Sequence, residues 1–166
     1  MRFIGTTLVL GLACLGAGAQ EKQEYRLTRD IPLTGSRLLA TGAKGTVPFD
    51  KPYAELTPAQ QAGLKAVYES MGDGDEPPYP LHGTRHLWRS LIDAGDRYGE
   101  HGPLSIIVDV AADGTATQVA VMKTPGKRLA THMSLVLLKE RYKPALCAGT
   151  PCAQQFRFVA EWIEQP

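Results

Sequence analysis

The residues best suited to chemistry in this chain are four histidines, a run of carboxylates and two late cysteines. His82 and His86 stand four positions apart, with Asp73, Asp75 and Glu76 just upstream. Imidazole and carboxylate together suit a transition metal when enough of them converge. Pro80 and Gly83 flank His82, however, and place it outside the helix that would carry His86. No His-Glu-x-x-His pattern and no third ligand at a matching spacing follows, so no metal and no cofactor is expected. His132 lies beside the apolar stripe of a helix and reads as a boundary residue. Neither a Gly-x-Ser-x-Gly elbow nor a Gly-rich phosphate loop is present. Asp109 and Asp113 sit in a strand-turn context, where they are turn formers first. No catalytic residue is expected, and the chain reads as a non-enzyme. A divergent enzyme or metal-binding protein using His82 and His86 is the alternative.

Cys147 and Cys152 enclose Ala-Gly-Thr-Pro, which is turn material. An even pair in an oxidising compartment reads as a disulfide that fixes a hairpin. A redox couple would favour Cys-x-x-Cys at a helix start, and a zinc site would need two further ligands.

The N-terminus supports such a compartment. Arg2 is followed by an apolar run from Leu8 to Leu15 and then by Ala17-Gly18-Ala19, the three-part pattern of a secretory signal. The run is short for a bilayer span, which needs about 20 residues. Cleavage after Ala19 is expected, giving a periplasmic protein with no stable membrane insertion. An uncleaved inner-membrane anchor and lipidation of Cys14 are the alternatives. The whole sequence has 166 residues, 18 basic and 17 acidic, and losing Arg2 makes the charges even. That neutrality argues against nucleic acid and against anionic lipid as partners.

The elements that must position these residues follow from periodicity. Residues 20–56 show little of it and read as an extended segment with one or two short strands. A helix is expected from Thr57-Pro58, an N-cap with proline at the first helical position. Its stripe of Leu64, Val67, Tyr68 and Met71 runs on to a stop at Gly72. Glu76-Pro77-Pro78-Tyr79-Pro80 cannot be helical. A second helix is expected from about Thr84 to Tyr98, with Leu87, Trp88, Leu91 and Ile92 apolar, closing a helical segment over 57–98.

From 99 to 166 the pattern changes. Leu104, Ile106, Val108 and Val110 alternate as a strand with one buried face. Ala112-Asp113-Gly114 signals a hairpin, and Thr117, Val119 and Val121 continue a second strand. A helix from about Arg128 to Tyr142 carries Leu129, Met133, Val136 and Leu137. A final strand alternates Phe156, Phe158, Ala160 and Trp162 with Gln155, Arg157, Val159 and Glu161. The expected fold is α+β, a three-stranded antiparallel sheet with a packed helix in the order strand, strand, helix, strand.

With Gly102 before the first strand, the Asp109-to-Gly114 strand and turn, Arg141-Tyr142-Lys143-Pro144 at the helix end and an aromatic last strand, this order resembles the TonB carboxy-terminal domain. Glu76-Pro77-Pro78-Tyr79-Pro80 is similar to that family's Gln-Pro-x-Tyr-Pro segment, with Glu76 in place of glutamine. Energy-transducing members also have a membrane anchor and a long Pro-rich spacer. Neither is seen here, and the stretch from Tyr79 to Gly102 is longer. The resemblance therefore implies the fold and a binding role, not force transmission.

In such domains a peptide pairs with a sheet edge, whose open N–H and C=O groups accept a partner's strand. The resemblance implies that edge in the last strand, with Gln155, Arg157, Val159 and Glu161 as contact residues and an envelope protein or peptide as partner. Residues 24–40 of the same chain, or a second copy in a structural homodimer, are the alternative occupants. Pro77, Tyr79 and Pro80 form a rigid segment, either a recognition handle or a packing peg.

Overall fold

A computed structural model describes the backbone of residues 24–26 and residues 47–160 in full. The expected leader and Glu161 lie outside the described residues. The element order is β1 (Glu24–Arg26), α1 (Pro58–Lys65), β2 (Tyr79–Pro80), α2 (Arg85–Tyr98), β3 (Leu104–Val110) and β4 (Ala116–Lys123). It continues with α3 (Lys127–Lys139), β5 (Tyr142–Lys143), β6 (Ala145–Cys147), β7 (Thr150–Cys152) and β8 (Gln154–Ala160). No helix among the described residues is long and apolar enough to cross a membrane.

The fold is α+β. The three expected antiparallel strands are β4, β3 and β8, with β3 in the middle, Val108 facing both Val119 of β4 and Phe156 of β8. A fourth strand joins them, because β1 pairs parallel to β4, Glu24 beside Gln118. The N-terminal segment thus reaches the sheet at the edge opposite β8.

Alternation along β3 divides the packing in two. Leu104, Ile106, Val108 and Val110 meet α2 and α3 in the main core, through Leu87 and Leu91 on one helix and Leu129, Met133 and Leu137 on the other. Ile107 faces the reverse side, where Tyr68 and Ala120 bury it with help from Val67, Met71 and Met122. The sheet is therefore covered on both faces, by helices on one and by a short loop cluster on the other.

Two helix ends differ from the expected positions. The first helix starts as expected: the Thr57 hydroxyl accepts from the Gln60 N–H and the Gln60 side chain accepts from the Thr57 N–H, a complete capping box. It stops at Lys65 rather than at Gly72. Val67, Tyr68 and Met71 still share one apolar cluster, but from a turn laid across the sheet. The third helix stops at Lys139, and Tyr142 and Lys143 form β5 against β2. Pro144 favours extended backbone at Lys143. The Tyr142 N–H donates to the Gly114 carbonyl and its hydroxyl to the Leu137 carbonyl, so its burial depends on leaving the helix. The second helix runs as expected from a Thr84 N-cap to a left-handed Gly99. Ile92 falls off its stripe and is exposed.

Cys147 and Cys152 form a disulfide across the β6–β7 hairpin, Cα atoms 5.9 Å apart.

Candidate functional site

Among the described residues β8 is the last strand in the sheet order, and no described strand lies on its side away from β3; residues 27–40, the alternative cover for this edge, lie outside the described residues. Phe156, Phe158 and Ala160 turn toward the helices, and Gln155, Arg157 and Val159 toward the reverse face. Both main-chain groups of Gln155 point away from β3. Its carbonyl accepts from the Tyr68 hydroxyl at 2.6 Å, and its N–H donates to Gln154 Oε1 at 3.0 Å. By antiparallel alternation the main-chain groups of Arg157 and Val159 point to that same side.

Along this side runs a groove of about 250 Å³. Phe156 to Val159 form its strand wall. Trp88 of α2 enters from the helix side between Phe158 and Phe49, its ring tilted against both with centroids 5.3 Å from each. Leu64 and Val67 line it from α1 and the turn that follows, and Tyr68 stands at the Gln155 end. Val47, Thr84, Pro77, Pro78 and Tyr79 complete the lining. Arg157 is the one charged side chain among the described lining residues.

Three local devices hold these walls. Gly83 has φ +77, and a Cβ there would run into the Phe49 carbonyl, so glycine permits the close approach. The Arg85 N–H then donates to that carbonyl at 2.7 Å, and the Arg85 guanidinium meets Asp50 at 3.0 Å. Together they seat the 47–51 segment beside α2. At the opposite end Tyr79 pairs with Lys143 in the β2–β5 ladder. The Lys143 ammonium sits 2.9 Å from Glu76 and 4.8 Å above the Tyr53 ring, tying that ladder to two further segments. Finally, the Asp75 carboxylate accepts from the Gly72 and Ala148 N–H groups, and the Ala148 bond first, then that from Gly72, hold it below the usual carboxylate range.

The sequence-derived candidates divide across this geometry. Arg157 and Val159 line the groove, and Val159 is exposed. Gln155, expected to offer a polar side chain to a partner, is fully buried instead; its amide nitrogen donates to Asp109 Oδ1 at 2.9 Å. The loop carrying Tyr68 covers that part of the reverse face, which a strand pattern alone does not announce. Tyr79 is buried, its ring set edge-on to Phe156, and burial raises its ionisation above the ordinary phenol value. Pro77 and Pro80 are buried as well, so Pro77-Pro78-Tyr79-Pro80 acts as a packed wall.

His82 and His86 are not brought together with the acidic loop. His86 pairs with Glu140, Glu76 with Lys143, and Asp75 is committed to backbone N–H groups. Among the described residues no group of three or more His, Cys, Asp or Glu side chains is placed to hold a metal ion. Most of the groove lining, Val47, Phe49, Leu64 and Trp88 among it, was not singled out for a site by pattern reading. The one available signal was Phe49, a large apolar residue between prolines, which is 52% exposed. Compared with known proteins, the chain matches no family model, no curated protein and no solved structure.

Proposed function

We propose that this protein is a periplasmic, non-enzymatic binding module of the TonB carboxy-terminal type, which takes an extended segment of an envelope protein or peptide along β8. The carrying observation is the apolar, aromatic-walled groove beside the terminal strand of the sheet. Strand addition draws affinity from main-chain pairing and specificity from pockets for alternate side chains. The Phe49–Trp88 pair, with Phe49 exposed and Trp88 half-buried, and the exposed Val159 supply such apolar contacts on either side of the strand.

Peptides selected from a random library on the immobilised protein, then titrated against the ¹⁵N-labelled chain, test the reading. Shifts are expected at Arg157 to Val159, Trp88 and Phe49. Shifts confined to regions remote from residues 153–163 would sink it. The expected compartment is checked separately by fractionation of cells producing the full chain, with mass spectrometry of the mature N-terminus.

A further inference from the structure

We infer that the Cys147–Cys152 disulfide is a redox-sensitive brace for one wall of the groove, reducible by a dithiol and able to loosen that wall without unfolding the core. The inference rests on the proposal that the groove is the working surface. Cys147 is an exposed residue and Cys152 a half-buried one, so the bridge lies at the surface, on the side from which a thiolate would approach. The hairpin it closes is conformationally costly. Ala148 has φ +48, the only non-glycine residue with positive φ among those described, and Gly149 follows at φ +81. An alanine there is held against its preference.

This turn is also the anchor of the segment leading into the groove. The Ala148 N–H donates to Asp75 Oδ1 at 2.7 Å, the Gly149 N–H donates to the Gly74 carbonyl at 3.0 Å, and Leu146 and Glu76 exchange two main-chain bonds of 2.9 Å. Pro77, Pro78 and Tyr79 come directly after Glu76 and line the groove.

One thiolate of a protein or small-molecule dithiol attacks the Cys147 sulfur, the S–S bond breaks, and a mixed disulfide forms. The second thiol of the reductant resolves it. Two electrons and two protons end on Cys147 and Cys152, and the reductant leaves as its disulfide. With the cross-link gone, the Ala148 turn relaxes and the bonds to residues 74–76 open with it.

Hydrogen exchange of the full chain, oxidised and after dithiothreitol, reads this without any partner. Exchange at Asp75, Glu76, Tyr79, Leu146 and Gly149 is expected to rise on the order of 30-fold, the loop-closure effect of so short a ring, while β3, β4 and α3 stay protected. Ala148→Gly, which relieves the positive-φ penalty, should restore part of that protection in the reduced protein. Faster exchange confined to residues 145–152, or no rescue by A148G, overturns the inference. The peptide titration under Proposed function is a separate measurement, so failure of the groove reading and failure of the brace are told apart.

Discussion

Tyr68 reaches across the reverse face of the sheet to the Gln155 carbonyl, and burial drives its ionisation well above that of a free phenol. Tyr53 is pushed up to about 12, by burial first and by the Glu76 carboxylate second. Tyr142 rises through burial and then through Glu140. In the unfolded chain each would ionise near its ordinary value of about 10. The stability these neutral rings contribute is therefore complete below about pH 10 and falls as pH rises toward the folded values. Tyr68 and Tyr142, the two most enclosed rings, should each contribute a slope approaching about 1.4 kcal/mol per pH unit once the pH exceeds about 10. Urea titrations followed by circular dichroism between about pH 9 and 11 measure it, and Tyr68→Phe should flatten the slope by one tyrosine's share. At Gly114, φ is +82 and an added Cβ would meet the Tyr142 carbonyl, which blocks relief by a small shift. Gly114→Ala should cost roughly 2–4 kcal/mol in the same titration. The turn itself was legible in Ala112-Asp113-Gly114. Its contact with Tyr142 was not, because that depends on the helix ending three residues earlier than its pattern suggests.

Among the elements, α3 depends on a neighbour for its start. Its N-cap is Gly126, which offers no side chain, and the Glu100 carboxylate beyond α2 accepts from the Leu129 N–H at 2.7 Å instead. That bond is the leading cause of a Glu100 ionisation below the usual carboxylate range, assisted by Arg128. The contribution is present above the ordinary carboxylate value and is lost as pH falls through the depressed one. Glu100→Ala should lower the thermal midpoint at neutral pH by more than Glu100→Gln, and the gap between variant and parent should close in acid. β8 calls for the opposite experiment. Val159→Asp changes an exposed position, so stability should move by less than about 0.5 kcal/mol, while selected peptides should bind at least tenfold more weakly by fluorescence anisotropy. The alternation of β8, the β3–β4 hairpin and the extent of α2 could be read directly from periodicity and turn residues. The end of α1 could not. Leu64, Val67, Tyr68 and Met71 satisfy a helical stripe, yet a turn delivers the last three to the sheet equally well, and the choice is settled by Tyr68 finding the Gln155 carbonyl. The Phe49–Trp88 wall was hidden for a similar reason: it needs Gly83 to bring two distant segments within contact.

At the level of the whole molecule, the sheet uses both ends of the described chain, β1 at one edge and β8 at the other. The pairing of β1 with β4 covers main-chain groups of Gln118 to Ala120 that would otherwise be a template for another chain. Deleting residues 1–26 should therefore give concentration-dependent self-association by sedimentation velocity, while the helix content seen by circular dichroism stays near that of the parent. The sequence offers residues 24–40 as cover for the last strand, whereas Glu24–Arg26 pair at the opposite edge, beside β4; three residues are too short to show a period that would choose between edges. The same parallel pairing carries a consequence in time. Glu24 meets Gln118 across roughly ninety positions of chain, whereas the α2, β3, β4 and α3 contacts are made between near neighbours, and distant closures are slow to be rewarded. A refolding chain should thus assemble its helix-backed sheet in a fast phase and acquire its first strand in a later one, and a ribosome would have released most of the protein before that strand had anything to pair with.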